Sequence, residues 1–262
     1  MKVLPSPLCA IVDVEVAERA AWSPTDLATA YLNGGARFLQ LRAKSLSGSQ
    51  FLDLASDLRD LAHGAGAIVI INDRADIARL CGADGVHVGQ DDLPPLAVRG
   101  IVGTESMIGL STHTEPQIES AIQQPIDYIA IGPVFGTATK ATGYAAVGLE
   151  RVRYASAHMK VVQAVRPAVS GEPEGWHYTN SDCFTGSSAG PGEARLKADA
   201  TRPVGLTSDA SGPLGVVAIG GITLDCAADV ISAGATAVAV ITDLIVTGEP
   251  EARVRAYLAR LR

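Results

Sequence analysis

Two stretches of this chain place acidic and amide side chains just where an apolar run ends. Ile68–Ile71 is followed by Asn72-Asp73, and Gly85–Val88 by Gly89-Gln90-Asp91-Asp92. Asp73 and Asp92, flanked by amides, suit a hard divalent cation. Mg²⁺ takes one or two protein carboxylates and completes its shell with water and substrate phosphate oxygens. Plain alternatives exist: Asp73 as N-cap of the next helix, Asp92 as a turn residue before Pro94. Their shared position, just past two consecutive strands, favours the metal.

Cations and hydroxyls follow other apolar runs. Gln40, Arg42 and Lys44 alternate in QLRAK, so equal parity lets all three face one side of an extended chain. Arg42 could grip an anion through two parallel donors and Lys44 could add a point charge; otherwise both are solvated loop cations. Ser111 and His113 suggest a hydrolase pair, but neither an Asp partner nor a G-x-S-x-G context accompanies them. His113 is expected at a rim and His87 along a barrel wall. Thr137, Thr139 and Lys140 sit in a Gly-containing run from Gly132 to Gly148, which is either an anion clamp or an ordinary polar loop. Gly220-Gly221-Ile222-Thr223 would leave backbone N–H groups open to a phosphate at a helix start. Ile241-Thr242-Asp243 would supply the other half, while a Gly-Gly pair alone makes only a tight turn.

These residues must be positioned by something repetitive, and the chain is. Apolar runs at Leu8–Asp13, Arg37–Leu41, Ile68–Ile71, Gly85–Val88, Met107–Leu110, Tyr128–Ile131, Val216–Ile219 and Ala237–Val240 read as strands. Helical patterns follow each: Pro24–Asn33, Gly48–His63, Ala75–Leu80, Leu96–Val102, Glu115–Gln123, Leu149–Met159, Thr223–Ala233 and Glu251–Leu261. Gly35-Ala36, Gly82-Ala83 and Gly234-Ala235 mark helix ends that feed strands. Strand–helix units in this number predict an α/β fold, a (β/α)8 TIM barrel, with chemistry at the carboxyl ends of the strands. In such barrels the loops after strands seven and eight commonly bind phosphate.

One segment breaks the rhythm. Residues 160–215 are rich in Gly, Ser, Pro, Thr and Asp and read as a low-complexity insertion between the sixth helix and the seventh strand. The expected organisation is therefore one barrel domain over residues 1–262 carrying that insertion. Val161-Val162 offers another start for strand seven, but Val216–Ile219 runs directly into the Gly pair and is preferred. Trp176, His177 and Tyr178 lie within the insertion and could act as a lid, but a disordered surface segment is the preferred reading.

Composition narrows the function classes. The 262 residues are 47% hydrophobic with a net charge of −7, and no basic stripe is visible, which argues against nucleic acid as the partner. An anionic small molecule remains compatible if cations and a metal are focused in one cleft. No run approaches the ~18 apolar residues of a membrane span, and Leu8–Val12 is too short for a signal-peptide core. Cys9, Cys81, Cys183 and Cys226 show neither C-x-x-C nor zinc spacing, so reduced thiols in a cytoplasmic protein are expected. A homo-oligomer is left open.

The chain resembles the thiamine-phosphate synthase family through QLRAK (40–44), INDRADIA (71–78), GADGVHVGQDD (82–92), GLSTHT (109–114), IGPVFGTATK (131–140) and AIGGIT (218–223). The resemblance implies a transferase joining hydroxymethylpyrimidine diphosphate to thiazole phosphate with release of pyrophosphate. It assigns Gln40, Arg42 and Asn72 to the pyrimidine and its diphosphate, with Lys44 adding charge there. Asp73 and Asp92 become Mg²⁺ ligands, and Ser111 and Lys140 pyrophosphate contacts. Thr137, Thr139, Gly220-Gly221 and Ile241-Thr242 fall on the thiazole-phosphate side. Arg42, Lys140 and Ser111 are the residues expected to stabilise the departing charge. Gly136 departs from the family, where proline is frequent. Rival readings are a thiazole tautomerase, which lacks the diphosphate apparatus; a phosphosugar isomerase or epimerase, which needs an acid/base pair; and a non-catalytic barrel that binds thiamine precursors.

Overall fold

The computed structural model describes residues 3–136, 145–165 and 215–262. Strand β1 (Leu8–Asp13) leads into a short helix α1 (Val14–Arg19), then α2 (Pro24–Asn33), β2 (Phe38–Arg42), α3 (Gly48–Gly64), β3 (Ile68–Asn72) and α4 (Ala75–Cys81). β4 (Gly85–Val88), α5 (Pro95–Val102), β5 (Met107–Thr112), α6 (Glu115–Ile122), β6 (Tyr128–Ile131) and α7 (Gly148–Val165) follow. β7 (Gly215–Ile219), α8 (Leu224–Ser232), β8 (Ala237–Val240), a 3₁₀ turn (Thr242–Leu244) and α9 (Pro250–Arg260) complete it. The strands form a closed barrel in sequence order, every neighbouring pair parallel, with β8 returning to β1. This is the expected (β/α)8 architecture.

Both faces of the sheet are covered, which is why the strands read as unbroken apolar runs. One set of side chains, including Leu8, Leu39, Val69, Ile108 and Val238, packs against the helices. The alternate set points inward: Cys9, Ile11, Phe38, Ile70, Met107, Tyr128, Val217 and Ala239 fill the barrel's lower interior. The same parity carried toward the carboxyl ends brings Gln40, Arg42, Asn72, His87 and Ser111 to the mouth.

At the opposite end, polar residues preceding β4, β6 and β8 hold β3, β5 and β7. Asp84 Oδ2 accepts from Val69 N at 2.9 Å, Asp127 Oδ2 from Ile108 N at 2.8 Å, and Thr236 Oγ1 from Val216 N at 3.1 Å. Arg99, at the end of α5, braces Asp127 at 2.9 Å and donates to the carbonyls of Gly103, Ser106 and Pro125.

Several boundaries differ from the sequence reading. Helix α1 is not anticipated, because six residues are too few to show a helical period. Asp13 caps it, accepting from Val16 N at 2.9 Å. Helix α7 runs to Val165, so Val161-Val162 are helical and strand seven opens at Gly215. The anticipated cap Ser23 accepts from Asp26 N at 3.0 Å, and Gly35, Gly82 and Gly234 all adopt positive φ at helix ends. Residues 166–214, and with them Trp176, His177, Tyr178 and Cys183, lie outside the described residues.

Candidate active site at the barrel mouth

A cavity of about 420 Å³ opens at the carboxyl ends of the strands. Gln40, Arg42, Asn72 and Ser111 line one part of it; Gly220, Gly221, Ile241 and Thr242 line another. The structure thus brings these predicted residues from β2, β3, β5, β7 and β8 around one space. Thr137, Thr139 and Lys140 lie outside the described residues.

On the β2 side the polar groups are already organised. Gln40 Nε2 donates to Asn72 Oδ1 at 3.0 Å, and both side chains are buried. Arg42 donates to Asp13 Oδ2 at 2.5 Å and lies 3.6 Å from Glu15 Oε2. Asp13 is 1% exposed, so the pair is strongly shielded from water. Glu15 Oε1 also accepts the backbone N–H groups of Lys44 and Ser45, each at 2.8 Å, which fixes the loop beyond β2. Sequence reasoning missed Asp13 and Glu15 in this role. Asp13 is a polar residue ending a barrel strand, the same signal that marked Asn72-Asp73.

Lys44 departs from the expected inward row. It lies beyond the end of β2, and its ammonium pairs with Asp73. Asp73 takes φ +63°, a left-handed value that Asp tolerates better than most residues, and its N–H donates to His87 O at 2.7 Å. It does not cap the next helix, whose N-cap is Arg74. Asp92 accepts from Gly89 N at 2.7 Å. Burial pushes the Asp92 carboxyl above the usual range, and the neighbouring Asp73 carboxylate raises it further, against the opposing pull of the Gly89 N–H and Lys44. The two acids therefore meet each other, with a cation beside them. They form a cluster of their own rather than part of the cavity lining. Among the described residues no cluster of three or more His, Cys, Asp or Glu suits a metal, so a cation here would draw most of its shell from elsewhere.

Ser111 does not pair with His113. Its hydroxyl lies 2.8 Å from His87 Nε2, while His113 Nδ1 engages Gly132 O. His87 is 7% exposed and on the barrel wall, as expected, yet it touches a predicted site residue. The cavity wall also carries Cys9, whose thiol burial pushes far up, so it is no nucleophile.

The glycine pair after β7 is dictated by closeness as well as by φ. Gly220 (φ +99°) and Gly221 (φ +64°) pack under the segment after β6. A Cβ at Gly220 would lie 2.6 Å from Pro133 Cα, and one at Gly221 2.5 Å from Gly136 O. Phe135 N donates to Gly220 O at 3.0 Å, which ties the two loops together. Below Thr242, Asp243 Oδ2 accepts from Leu224 N at 3.1 Å, Arg253 Nη2 at 2.7 Å and Tyr257 Oη at 2.5 Å. The Arg253 charge compensates this carboxylate beside the region expected to hold phosphate, and α9 thereby anchors the β8 loop.

A sequence model of the family described as thiamine monophosphate synthase matches residues 8–170. The chain belongs to that family. The thiamine-phosphate synthase of Chlorobium luteolum is 33% identical over 252 residues, covering 96% of this chain and 91% of that protein. That of Caldicellulosiruptor saccharolyticus is 39% identical over 139 residues, covering 53% of this chain and 63% of that protein. Among solved structures, a thiamine phosphate pyrophosphorylase from Pyrococcus furiosus superposes with a TM-score of 0.69 at 22% identity, covering 97% of this chain and 94% of that one. That likeness speaks to the fold. Family membership makes this chain kin to enzymes, and no helix among the described residues is long and apolar enough to cross a membrane.

Proposed function

We propose that this chain is a thiamine-phosphate synthase: it joins hydroxymethylpyrimidine diphosphate to thiazole phosphate, releasing pyrophosphate and forming thiamine phosphate. The observation that carries this reading is a single cavity with Gln40, Arg42, Asn72 and Ser111 on one part of its wall and Gly220, Gly221 and Thr242 on another. Two anionic substrates can then be held with their reacting ends adjacent.

The reacting carbon is benzylic to an electron-rich aminopyrimidine, so a dissociative displacement suits it. Charge grows on the departing diphosphate, and the protein's task is to meet that charge with preorganised donors. Arg42, held by Asp13, and Ser111 line the cavity and would supply such donors. Lys140 enters from its sequence motif, as do Thr137 and Thr139 for the thiazole phosphate. Gln40 and Asn72, locked to each other, offer an amide edge to the pyrimidine. The thiazole nitrogen attacks while its phosphate is held near the β7 and β8 loops, and this proximity converts a bimolecular encounter into an intramolecular one. No protein nucleophile is required.

Asp73 and Asp92 are two hard oxygen donors side by side, the Asp92 carboxyl raised by burial and then by its neighbour, and they would hold Mg²⁺, with water and substrate oxygens supplying the rest of its shell. When bound, the ion would neutralise diphosphate charge. Lys44 lies against the same acids and would turn to the diphosphate as that charge arrives. Free thiols at Cys9, Cys81 and Cys226 are compatible with a reducing cytoplasmic setting.

The test is pyrophosphate release with both substrates, with and without Mg²⁺. Turnover that needs both substrates and the ion is expected. A protein that binds thiazole phosphate yet releases no pyrophosphate would overturn the reading.

A further inference from the structure

We propose that His87 and Tyr128 are positioning residues that fix the Ser111 hydroxyl as a hydrogen-bond donor toward an anion in the cavity. That the anion is a departing diphosphate rests on the synthase reading above; the direction of the hydrogen bonds does not.

Three neighbouring strands build the arrangement. In the barrel register His87 on β4 pairs with Gly109 on β5, and Gly109 pairs with Tyr128 on β6. A Cβ at position 109 would lie 2.1 Å from Tyr128 Cζ and 2.4 Å from His87 Nδ1. Glycine there lets the two rings meet across the middle strand, with centroids 5.5 Å apart and planes 23° from parallel. Tyr128 Oη lies 3.1 Å from His87 Nδ1, and His87 Nε2 lies 2.8 Å from Ser111 Oγ.

Polarity follows from the far end. Tyr128 is 2% exposed, and burial holds its phenol protonated. Among the described residues its hydroxyl has one hydrogen-bond partner, His87 Nδ1. A buried O–H without an acceptor is costly, so the phenol donates to Nδ1. Nδ1 is then the acceptor, and the ring proton sits on Nε2. Nε2–H donates to a lone pair of Ser111 Oγ, which leaves the serine proton free to point into the cavity. The reverse order would make Ser111 the donor to the ring and present a lone pair to an anion. Gln90 Nε2 donates to Ser111 O at 2.6 Å and steadies the backbone beneath.

Long-range proton–nitrogen spectra of histidine-labelled protein, assigned with His87→Gln, are expected to show the Nε2–H tautomer at His87. An Nδ1–H tautomer or a doubly protonated ring overturns the proposal. In steady-state kinetics, His87→Leu and Ser111→Ala should each lower kcat by roughly 10²-fold, as loss of one charge-stabilising donor does. Their combination should be no worse than the worse single change, because both remove one interaction. His87→Gln keeps a donor at the Nε2 position and should recover most of the His87→Leu loss. Additive losses, or a Gln variant no better than Leu, would assign His87 a merely structural role. If His87→Leu does not fold, Tyr128→Phe replaces it: it removes one oxygen and should let Nδ1–H appear, and an unchanged tautomer overturns the proposal. A wild-type protein that releases no pyrophosphate defeats the synthase reading, yet the tautomer remains measurable and still decides the relay.

Discussion

Arg42 is held before any substrate arrives: Asp13 and Glu15 fix its guanidinium, so little side-chain ordering remains when an anion binds. Lys140 belongs to the IGPVFGTATK motif, and the synthase reading assigns its charge to the departing diphosphate. Lys140→Ala is expected to cut turnover by roughly 10²-fold or more, the usual result of deleting one such donor. A near wild-type rate would remove it from the mechanism. Asp73 and Asp92 carry the metal claim. Changes to groups around a metal typically cost 10–100-fold in its affinity, so Asp73→Asn, a change in a proposed ligand, should raise the Mg²⁺ concentration for half-maximal turnover by roughly tenfold or more. An unchanged titration would count against it.

At the level of elements, the strand register decides what the side chains can do. Gly109 is the clearest case, since β4 and β6 meet across it. Gly109→Ala forces a methyl against Tyr128 and His87, and such overpacking costs typically about 1–3 kcal/mol. It should lower the denaturation midpoint and, by parting His87 from Ser111, reduce kcat as well. A variant with full stability and full activity would show that the rings have room to separate. Helix α1 has a similar share in the site: capped by Asp13, it carries Glu15 to the β2 loop and so couples the first βα connection to the second.

Across the whole molecule the two ends of the barrel divide the work. The amino-terminal end is stapled by Asp84, Asp127 and Thr236, each binding the start of the strand before it. Asp127→Ala would strand the shielded Arg99 guanidinium, and breaking such a pair costs about 3–5 kcal/mol when it is fully buried, somewhat less here. Chemical denaturation should register that loss while KM for both substrates stays unchanged, because the staple faces away from the mouth. A shift in KM without loss of stability would contradict this division. The carboxyl end has the reverse character: several of its polar groups pair with one another, as Gln40 with Asn72 and Lys44 with Asp73 show.

The sequence by itself determined the barrel and much of its mouth. Strand and helix periods are local properties, so eight apolar runs and their glycine-marked helix ends were legible, as was the inward parity of Gln40 and Arg42. Helix α1 was not, because six residues carry too little period, and Lys44 left its row because parity ends with the strand. Partnerships were decided only by the tertiary structure. Ser111 and His113 are neighbours in the chain, yet the barrel's register hands Ser111 to His87, 24 residues away. Asp13 closes a strand in the sequence, and only the pairing of β1 with β2 sets it against Arg42. Local sequence fixes which way a side chain faces; which group it meets depends on strand order and stagger, and these are settled by closing the barrel.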